Sequence, residues 1–186
     1  MLKKNFESLY SSAFSTLNKY ENVINSQIFP AIKDSIDSGG TIFTCGNGGS
    51  ACCANHLTEE LIGKYDKIRP PIKSICLNAD SATITCISND YLYTNVFSRQ
   101  IECLGKEGDV LVVFSTSGNS INLLNVLDAA HNKGMIKVAF VGNDGGLIAR
   151  PNRVDHLVIV NSNVSARIQE VHEFLMHNLC EYLENP

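Results

Sequence analysis

His56 and Glu60 are the first residues of this chain whose types and spacing could do chemistry together. Side chains four residues apart share one face of a helix, so the imidazole and the carboxylate are expected to point the same way. Gln169 and His177 lie eight residues apart in a second helical pattern and also share a face. If the two pairs meet, they offer nitrogen and oxygen ligands for zinc or a similar divalent ion. The same groups could instead act as acid and base, and a solvated helix face without a role fits the spacing as well.

Two loops that follow apolar segments offer groups suited to an anionic ligand. Residues 46–50 read Gly-Asn-Gly-Gly-Ser, and their glycines permit close approach of the backbone to a ligand. Residues 115–120 read Ser-Thr-Ser-Gly-Asn-Ser and precede a predicted helix, whose N-terminus favours phosphate. This loop lacks the lysine of a P-loop, which disfavours nucleotide hydrolysis. Because serine, threonine and asparagine also cap helices, capping alone is the alternative.

The elements that must position these groups follow from the apolar pattern, which predicts an α/β fold. Unbroken apolar segments predict buried strands at 41–45, 72–77, 109–114, 138–141 and 156–160. Helices are predicted at 5–37 with a break at Pro30, then at 50–63, 121–132 and 166–183, with short helical pieces over 81–104. Apolar strands that alternate with helices indicate a parallel sheet covered on both faces. Ligands bind at the carboxyl ends of such strands, where both loops lie.

Composition excludes several classes of function. The 186 residues, 20.4 kDa, predict one domain over 1–186 with an N-terminal helical segment of about 1–38. The net charge of −4 and the lack of a basic block argue against nucleic-acid binding. No secretory pattern and no membrane-spanning apolar run is present, which predicts a cytoplasmic protein without a membrane partner. The seven cysteines are odd in number and contain no CxxC pair, so we interpret them as buried small residues in a reducing cytosol.

Five ordered motifs in this chain resemble those of the phosphoheptose isomerases, a group within the sugar isomerase (SIS) domain family. The resemblance spans nearly the whole chain. The matching stretches are Cys45-Gly46-Asn47-Gly48-Gly49-Ser50-Ala51, His56 with Glu60, Ser88-Asn89-Asp90-Tyr91, Ser115-Thr116-Ser117-Gly118-Asn119-Ser120, and Ala166-Arg167-Ile168-Gln169-Glu170-Val171-His172.

This resemblance implies a single SIS domain with a flavodoxin-like sheet, and a homotetramer with sites at subunit interfaces. It implies that sedoheptulose 7-phosphate is isomerised through an enediol to D-glycero-D-manno-heptose 7-phosphate, a precursor of heptose glycans and lipopolysaccharide. Glu60 and His177 match the acid/base pair. The implied ligands of one zinc ion per subunit are His56, Glu60, Gln169 and His177. The implied substrate contacts are Asn47, Gly48, Gly49, Glu60, Asn89, Asp90, Ser115, Thr116, Ser117, Ser120 and Gln169.

Some positions depart from the pattern of that family. Residues 51–55 read Ala-Cys-Cys-Ala-Asn where the family normally has Ala-Ala-Asp-Ala-Gln, and Lys64 replaces an arginine. These changes bear on substrate identity more than on reaction class. The rival interpretation is a non-enzymatic relative that binds the bacterial replication initiator protein. That relative lacks the acidic residue at the position of Glu60 and the histidine at the position of His177. Because this chain has both, the enzyme is favoured over that relative and over a non-catalytic sugar-phosphate sensor.

Overall fold

Five parallel strands form one sheet in the computed structural model of this chain, which describes residues 1–185. The strands are β1 (Ile42–Gly46), β2 (Ser74–Cys76), β3 (Val110–Ser115), β4 (Ile136–Val141) and β5 (His156–Ile159). Their order across the sheet is β2-β1-β3-β4-β5, and every neighbouring pair is parallel. The α/β class and the flavodoxin-like sheet predicted from the sequence are therefore confirmed.

Two apolar layers cover the sheet, because alternate side chains of each strand point to opposite faces. Along β3, Val112 and Phe114 join one core cluster, and Leu111 and Val113 join the other. The helices are α1 (Leu2–Val23), α2 (Phe29–Asp37), α3 (Gly49–Ile62), α4 (Ser81–Tyr91), α5 (Ser98–Leu104), α6 (Ile121–Asn132) and α7 (Ser165–Glu184). Helices α2, α3 and α7 pack in the first cluster, and α5 and α6 pack in the second. Within residues 1–185, none of the helices combines the length and apolarity that crossing a bilayer requires.

The order of the strands fixes where a ligand can bind. From β1 the chain crosses to β2 on one side, and β3 then pairs with β1 on the other side, with Gly46 opposite Phe114. Strands β1 and β3 therefore end side by side at the point where the direction of winding reverses. Ligands of open parallel sheets bind in the crevice at this point. The two loops of the predicted ligand site, residues 46–50 and 115–120, follow these two strands.

Two sequence predictions need correction. The two helices predicted within residues 5–37 are present, but a π-helical turn at Ile24–Ile28 joins α1 to α2, and there is no break at Pro30. Pro30 lies in the first turn of α2, where the missing N–H does least harm. The cysteines are only partly buried: Cys45, Cys53, Cys76 and Cys180 are buried, whereas Cys52, Cys86 and Cys103 are exposed. The prediction of a wholly buried set was wrong because it rested on the average behaviour of cysteine and not on the faces of α3, α4 and α5.

Candidate active site

Helices α3 and α7 bring together three of the predicted zinc ligands. One ligand atom each from His56, Glu60 and His177 lies within 4.8 Å of the other two. His56 Nε2 lies 3.4 Å from Glu60 Oε1, and the ring of His177 meets the ring of His56 edge-on with centroids 5.0 Å apart. All three side chains are half-buried. The predicted meeting of the two helix faces is confirmed for these residues.

Gln169, the fourth predicted ligand, lies on α7 two turns before His177. Its side chain packs against Gly49, the first residue of α3. A side chain built at Gly49 would meet the amide of Gln169, with its Cβ only 2.4 Å from Nε2. A side chain at position 49 would displace this amide, so the glycine leaves room for Gln169 beside the start of α3. The contact joins α7 to residues 46–50, the glycine loop.

The donor set suits a divalent ion of borderline softness. Two imidazole nitrogens and a carboxylate oxygen are the ligands that zinc sites with an open position use. The three atoms lie within 4.8 Å of one another, a spacing at which they could hold one ion. The residues present therefore fit the metal that the resemblance implies.

The other nitrogen of His56 is also engaged, by a residue to which the sequence assigned no role. Nδ1 of His56 lies 2.7 Å from Oε2 of Glu173, which is one turn before His177 on α7. The thiol of Cys53 lies one turn before His56 on α3 and is buried, and burial together with the hydrogen bond to Glu173 raises the pKa of this thiol. Cys53 therefore stays a neutral thiol beside Glu173.

The glycine loop after β1 is held by amide side chains from other elements. Asn47 and Asn122 exchange two hydrogen bonds, Asn47 Nδ2 to Asn122 Oδ1 at 2.9 Å and Asn122 Nδ2 to Asn47 Oδ1 at 2.8 Å. The hydroxyl of Tyr93 also donates to Asn47 Oδ1, at 2.9 Å. Asn78 pairs with Gly46, whose N–H donates to its Oδ1 and whose carbonyl accepts from its Nδ2. The loop is thereby preorganised before any ligand arrives.

Residues 115–120, the hydroxyl loop, follow β3. Some of their hydroxyls make hydrogen bonds within the protein, and others do not. Ser115 is buried, and its Oγ accepts the N–H of Gly118 at 3.0 Å. Ser117 Oγ accepts the N–H of Asn119 at 3.3 Å. Ser120 is the N-cap residue of α6, yet its hydroxyl makes no capping hydrogen bond. The capping alternative is therefore wrong for Ser120, and its hydroxyl is available to a ligand.

Gly118 fixes this loop against the turn that follows β4. Its φ of +65° lies in the left-handed region, and a Cβ there would stand 2.0 Å from the carbonyl oxygen of Gly145. Both the backbone angle and the close approach exclude a side chain. The turns after β3 and β4 are therefore pressed together.

Asn89 and Asp90 lie exposed at the end of α4, and their side-chain hydrogen bonds are local. The Asn89 amide donates to Asp90 Oδ1 at 2.7 Å, and Asp90 Oδ2 accepts the thiol hydrogen of Cys86. Within the described chain no hydrogen bond joins the side chains of this pair to any of the other predicted sugar contacts or metal ligands. Their role in substrate binding stays a prediction.

A network at the end of α7 supports the segment that follows α3. Glu184 accepts the backbone N–H groups of Tyr65, Asp66 and Lys67 at 2.9, 2.9 and 2.7 Å. Burial raises the pKa of this carboxyl, but these hydrogen bonds and Arg69 lower it by more, so the net shift is downward. The ring of Tyr65 packs against the ring of His177, with centroids 5.5 Å apart. Arg69 also donates to the carbonyl oxygens of Glu60 and Leu61, which end α3.

Several positioning residues were missed by the sequence reasoning. Their signals were weak because each is a single polar residue inside an otherwise ordinary helix or loop. Asn122 could have been suspected as a buried polar position on the apolar face of α6, and Glu173 because it lies four residues after Gln169 and four before His177. The missed residues are Asn78, Tyr93, Asn122 and Glu173.

Comparison with known proteins gives consistent matches. The sequence pattern of the SIS domain family matches residues 12–142. A phosphoheptose isomerase of Shewanella halifaxensis (strain HAW-EB4) is 47% identical over 149 residues, which are 80% of this chain and 76% of that protein. A phosphoheptose isomerase of Shewanella sp. (strain ANA-3) is 48% identical over 147 residues, 78% of this chain and 75% of that protein.

Solved structures give the same picture. A phosphoheptose isomerase from Francisella tularensis superposes with a TM-score of 0.93 at 33% identity, covering 100% of this chain and 97% of that one. A phosphoheptose isomerase from Neisseria gonorrhoeae superposes with a TM-score of 0.85 at 33% identity, covering 100% of both chains.

Proposed function

Because the chain belongs to the SIS domain family, we propose that it is a phosphoheptose isomerase. Its reaction is the interconversion of sedoheptulose 7-phosphate and D-glycero-D-manno-heptose 7-phosphate. One observation carries the proposal beyond the likeness to named relatives. His56, Glu60 and His177 converge beside the glycine loop, which the Asn47–Asn122 pair joins to the first turn after the hydroxyl loop.

The proposal assigns the phosphate of the substrate to the hydroxyl loop. Ser120 is the N-cap residue of α6, which begins after the carboxyl end of β3, and an anion there gains from the helix dipole. Thr116 and Ser117 supply further hydroxyls. The proposed site needs no lysine or arginine in this loop. The remaining proposed contacts to the sugar are Asn47, Gly48, Gly49, Asn89, Asp90, Ser115 and Gln169.

Proton transfer is assigned to Glu60 and His177. Isomerisation removes a proton from C1 of the ketose, forms an enediol and returns a proton to C2. Glu60 carries this proton, since a carboxylate in a half-buried site can act as a general base. His177 moves the proton between the hydroxyl and carbonyl oxygens. Because Glu60 has two carboxylate oxygens, one can face a metal ion while the other faces the substrate carbon.

A divalent ion completes the proposal. His56, Glu60, Gln169 and His177 would hold one Zn²⁺ per subunit. When bound, such an ion polarises a carbonyl and stabilises negative charge on an enediolate.

The setting of the enzyme follows from the same proposal. We place it in the cytoplasm as a homotetramer of single-domain subunits spanning 1–186, with its product feeding heptose glycan or lipopolysaccharide synthesis. The row of exposed apolar side chains on α1, Leu2, Phe6, Tyr10 and Phe14, supports assembly, since a lone subunit would leave these side chains in water.

The test is incubation of the purified protein with sedoheptulose 7-phosphate in deuterated buffer, followed by NMR. An aldose phosphate with solvent deuterium at C2 is the expected product. Glu60→Gln is expected to lower kcat by about 10²–10⁴-fold, the usual contribution of a general base. Glu59→Gln is the matched control, because it removes an equal charge from the same helix. The side chain of Glu59 is 69% exposed, whereas that of Glu60 is 14% exposed.

The outcomes separate the candidate functions. Unchanged sugar in the presence of Zn²⁺ would refute the heptose isomerase and return attention to other ketose phosphates and to the replication initiator protein. Equal loss in the two glutamine variants would refute the role of Glu60 as base.

A further inference from the structure

Glu173 contacts His56 from the side opposite to the other candidate ligands. Its Oε2 lies 2.7 Å from Nδ1, whereas Nε2 of the same ring lies 3.4 Å from Glu60 Oε1. The two ring nitrogens therefore face two different carboxylates on two different helices. The contact joins residues 117 positions apart and forms only when α7 docks on α3.

The chemistry of a carboxylate decides which nitrogen of His56 carries the hydrogen. A carboxylate only accepts hydrogen bonds, so the short contact requires an N–H at Nδ1. In the neutral imidazole, Nε2 then carries the lone pair. That lone pair is directed at the space that His56 shares with Glu60 and His177.

We propose that Glu173 is a positioning residue that fixes the ring orientation and the tautomer of His56, so that Nε2 serves as the ligand atom. The assignment rests on the proposed function in one respect, the metal that Nε2 would bind. A carboxylate behind a ligating histidine raises the basicity of the ligand and restricts its rotation, and loss of such a partner typically costs 10–100-fold in metal affinity.

Cys53 excludes a competing partner for His56 on α3. It lies one turn before His56 on that helix, and its buried, neutral thiol hydrogen-bonds to Glu173 and is only a weak acceptor. Glu59 approaches only Nε2, at 3.8 Å, and is largely exposed. Among the residues described, Glu173 is therefore the one carboxylate on the Nδ1 side.

The first experiment reads the tautomer of metal-free protein directly. Long-range proton–nitrogen NMR of ¹⁵N-histidine protein at pH 8.5, with the His56 signals assigned by a His56→Gln variant, should show the hydrogen on Nδ1. In Glu173→Ala the hydrogen should move to Nε2, the form preferred by a free imidazole in water. Wild-type protein with the hydrogen on Nε2 would overturn the proposal.

The second experiment measures Zn²⁺ affinity by competition with a chelator. Glu173→Ala should weaken binding about 10–100-fold, and Glu173→Gln should weaken it less, because the amide oxygen still accepts the Nδ1 hydrogen without a charge. Glu59→Ala, which removes a charge near the same ring, should stay within about threefold of wild type. Unchanged affinity in Glu173→Ala, or an equal loss in Glu59→Ala, would contradict the proposal.

Thermal unfolding of the metal-free variants keeps the two proposals apart. Loss of Zn²⁺ affinity without a matching loss of metal-free stability supports positioning, whereas a parallel fall in both would assign Glu173 a merely structural role and overturn it. A wild-type protein that binds no Zn²⁺ but has the Nδ1 hydrogen refutes the metal of the proposed function and leaves Glu173 as the group that orients His56.

Discussion

Asn47 is positioned by other elements and not by its own loop. Asn122, buried in the first turn of α6, exchanges two hydrogen bonds with it, and Tyr93 donates a third. A free asparagine side chain would sample several rotamers, and ordering it on binding would weaken affinity. Because Asn122 already orders the Asn47 side chain in the folded protein, this entropy loss does not weaken ligand binding.

We expect Asn122→Leu to lower kcat/KM about tenfold, because the amide of Asn47 loses its buried partner and its fixed direction. Most of this loss should come from a higher KM for the sugar phosphate and little from a lower kcat. Steady-state kinetics measures both. Tyr93→Phe removes one exposed hydrogen bond to the same oxygen and should cost less. A larger loss in Tyr93→Phe than in Asn122→Leu would contradict this account.

His172 makes the fold sensitive to acid. It is fully buried against Phe114 and Phe140, and neither ring nitrogen has a hydrogen-bond partner of ordinary geometry among residues 1–185. Burial lowers its pKa to about 4, and the nearby backbone of Val141 offsets only part of that effect. The unfolded chain, with an ordinary histidine, binds the proton first.

Stability is therefore complete above about pH 6.5 and falls as pH drops toward 4. Between pH 7.5 and 5 this one residue should cost about 2 kcal/mol. Urea unfolding at the two pH values measures the loss, and His172→Leu, of similar volume, should remove most of it. An equal pH dependence in the variant would assign the acid sensitivity to other groups.

Among the elements, α7 contributes most to the site and is fixed at both ends. Its start meets the glycine loop through Gln169, and its end binds the 65–67 segment through Glu184. Because Tyr65 in that segment packs on His177, the end of the helix also supports the candidate acid/base group.

Glu184→Gln should destabilise the fold by about 2 kcal/mol, because a neutral amide with one acceptor oxygen replaces the charged carboxylate that accepts three N–H groups and faces Arg69. The lowered pKa of Glu184 means that its contribution is present above about pH 4.5 and lost as pH falls further. Urea unfolding at neutral pH tests the size of the effect. Exposed Glu181, on the same helix, provides the control Glu181→Gln, which should change stability by less than about 0.5 kcal/mol.

Gly118→Ala should displace the hydroxyl loop, because the added methyl group meets the carbonyl of Gly145. Gly39→Ala is matched, with a φ of +83° and open space around the new carbon. Both variants should lose about 1 kcal/mol or more to backbone strain, but only Gly118→Ala should raise KM severalfold. Equal KM values in the two variants would show that the close turn does not position the phosphate.

The elements themselves were readable from the sequence, and the contacts between them were not. Apolar periodicity located every strand, and the spacing of His56 and Glu60 placed both on one helix face. The hydrogen bond between His56 and Glu173 depends on how α3 and α7 cross, which local sequence does not encode. The partner of Asn122 was hidden for a related reason: a polar residue on the apolar face of α6 could be noticed in the sequence, but its pairing with Asn47 depends on the packing of α6.

For the molecule as a whole, the exposed apolar row on α1 predicts assembly. Phe6, Tyr10 and Phe14 recur at helical spacing on the solvent side. The proposed homotetramer should sediment at about four times 20.4 kDa. Phe6→Glu with Tyr10→Glu should give smaller species by analytical ultracentrifugation, because two charges cannot be buried in an apolar interface without partners. Charge substitutions at exposed Lys3 and Lys4 serve as controls.

The division of the site between α3 and α7 has a consequence for biosynthesis. All five strands and the whole of α3 precede α7 in the chain, so they are synthesised before it. A nascent chain can thus begin to form its sheet while Gln169, Glu173 and His177 are still missing. Chemistry starts only when the last helix docks, so a prematurely terminated chain could fold in part but would remain catalytically silent.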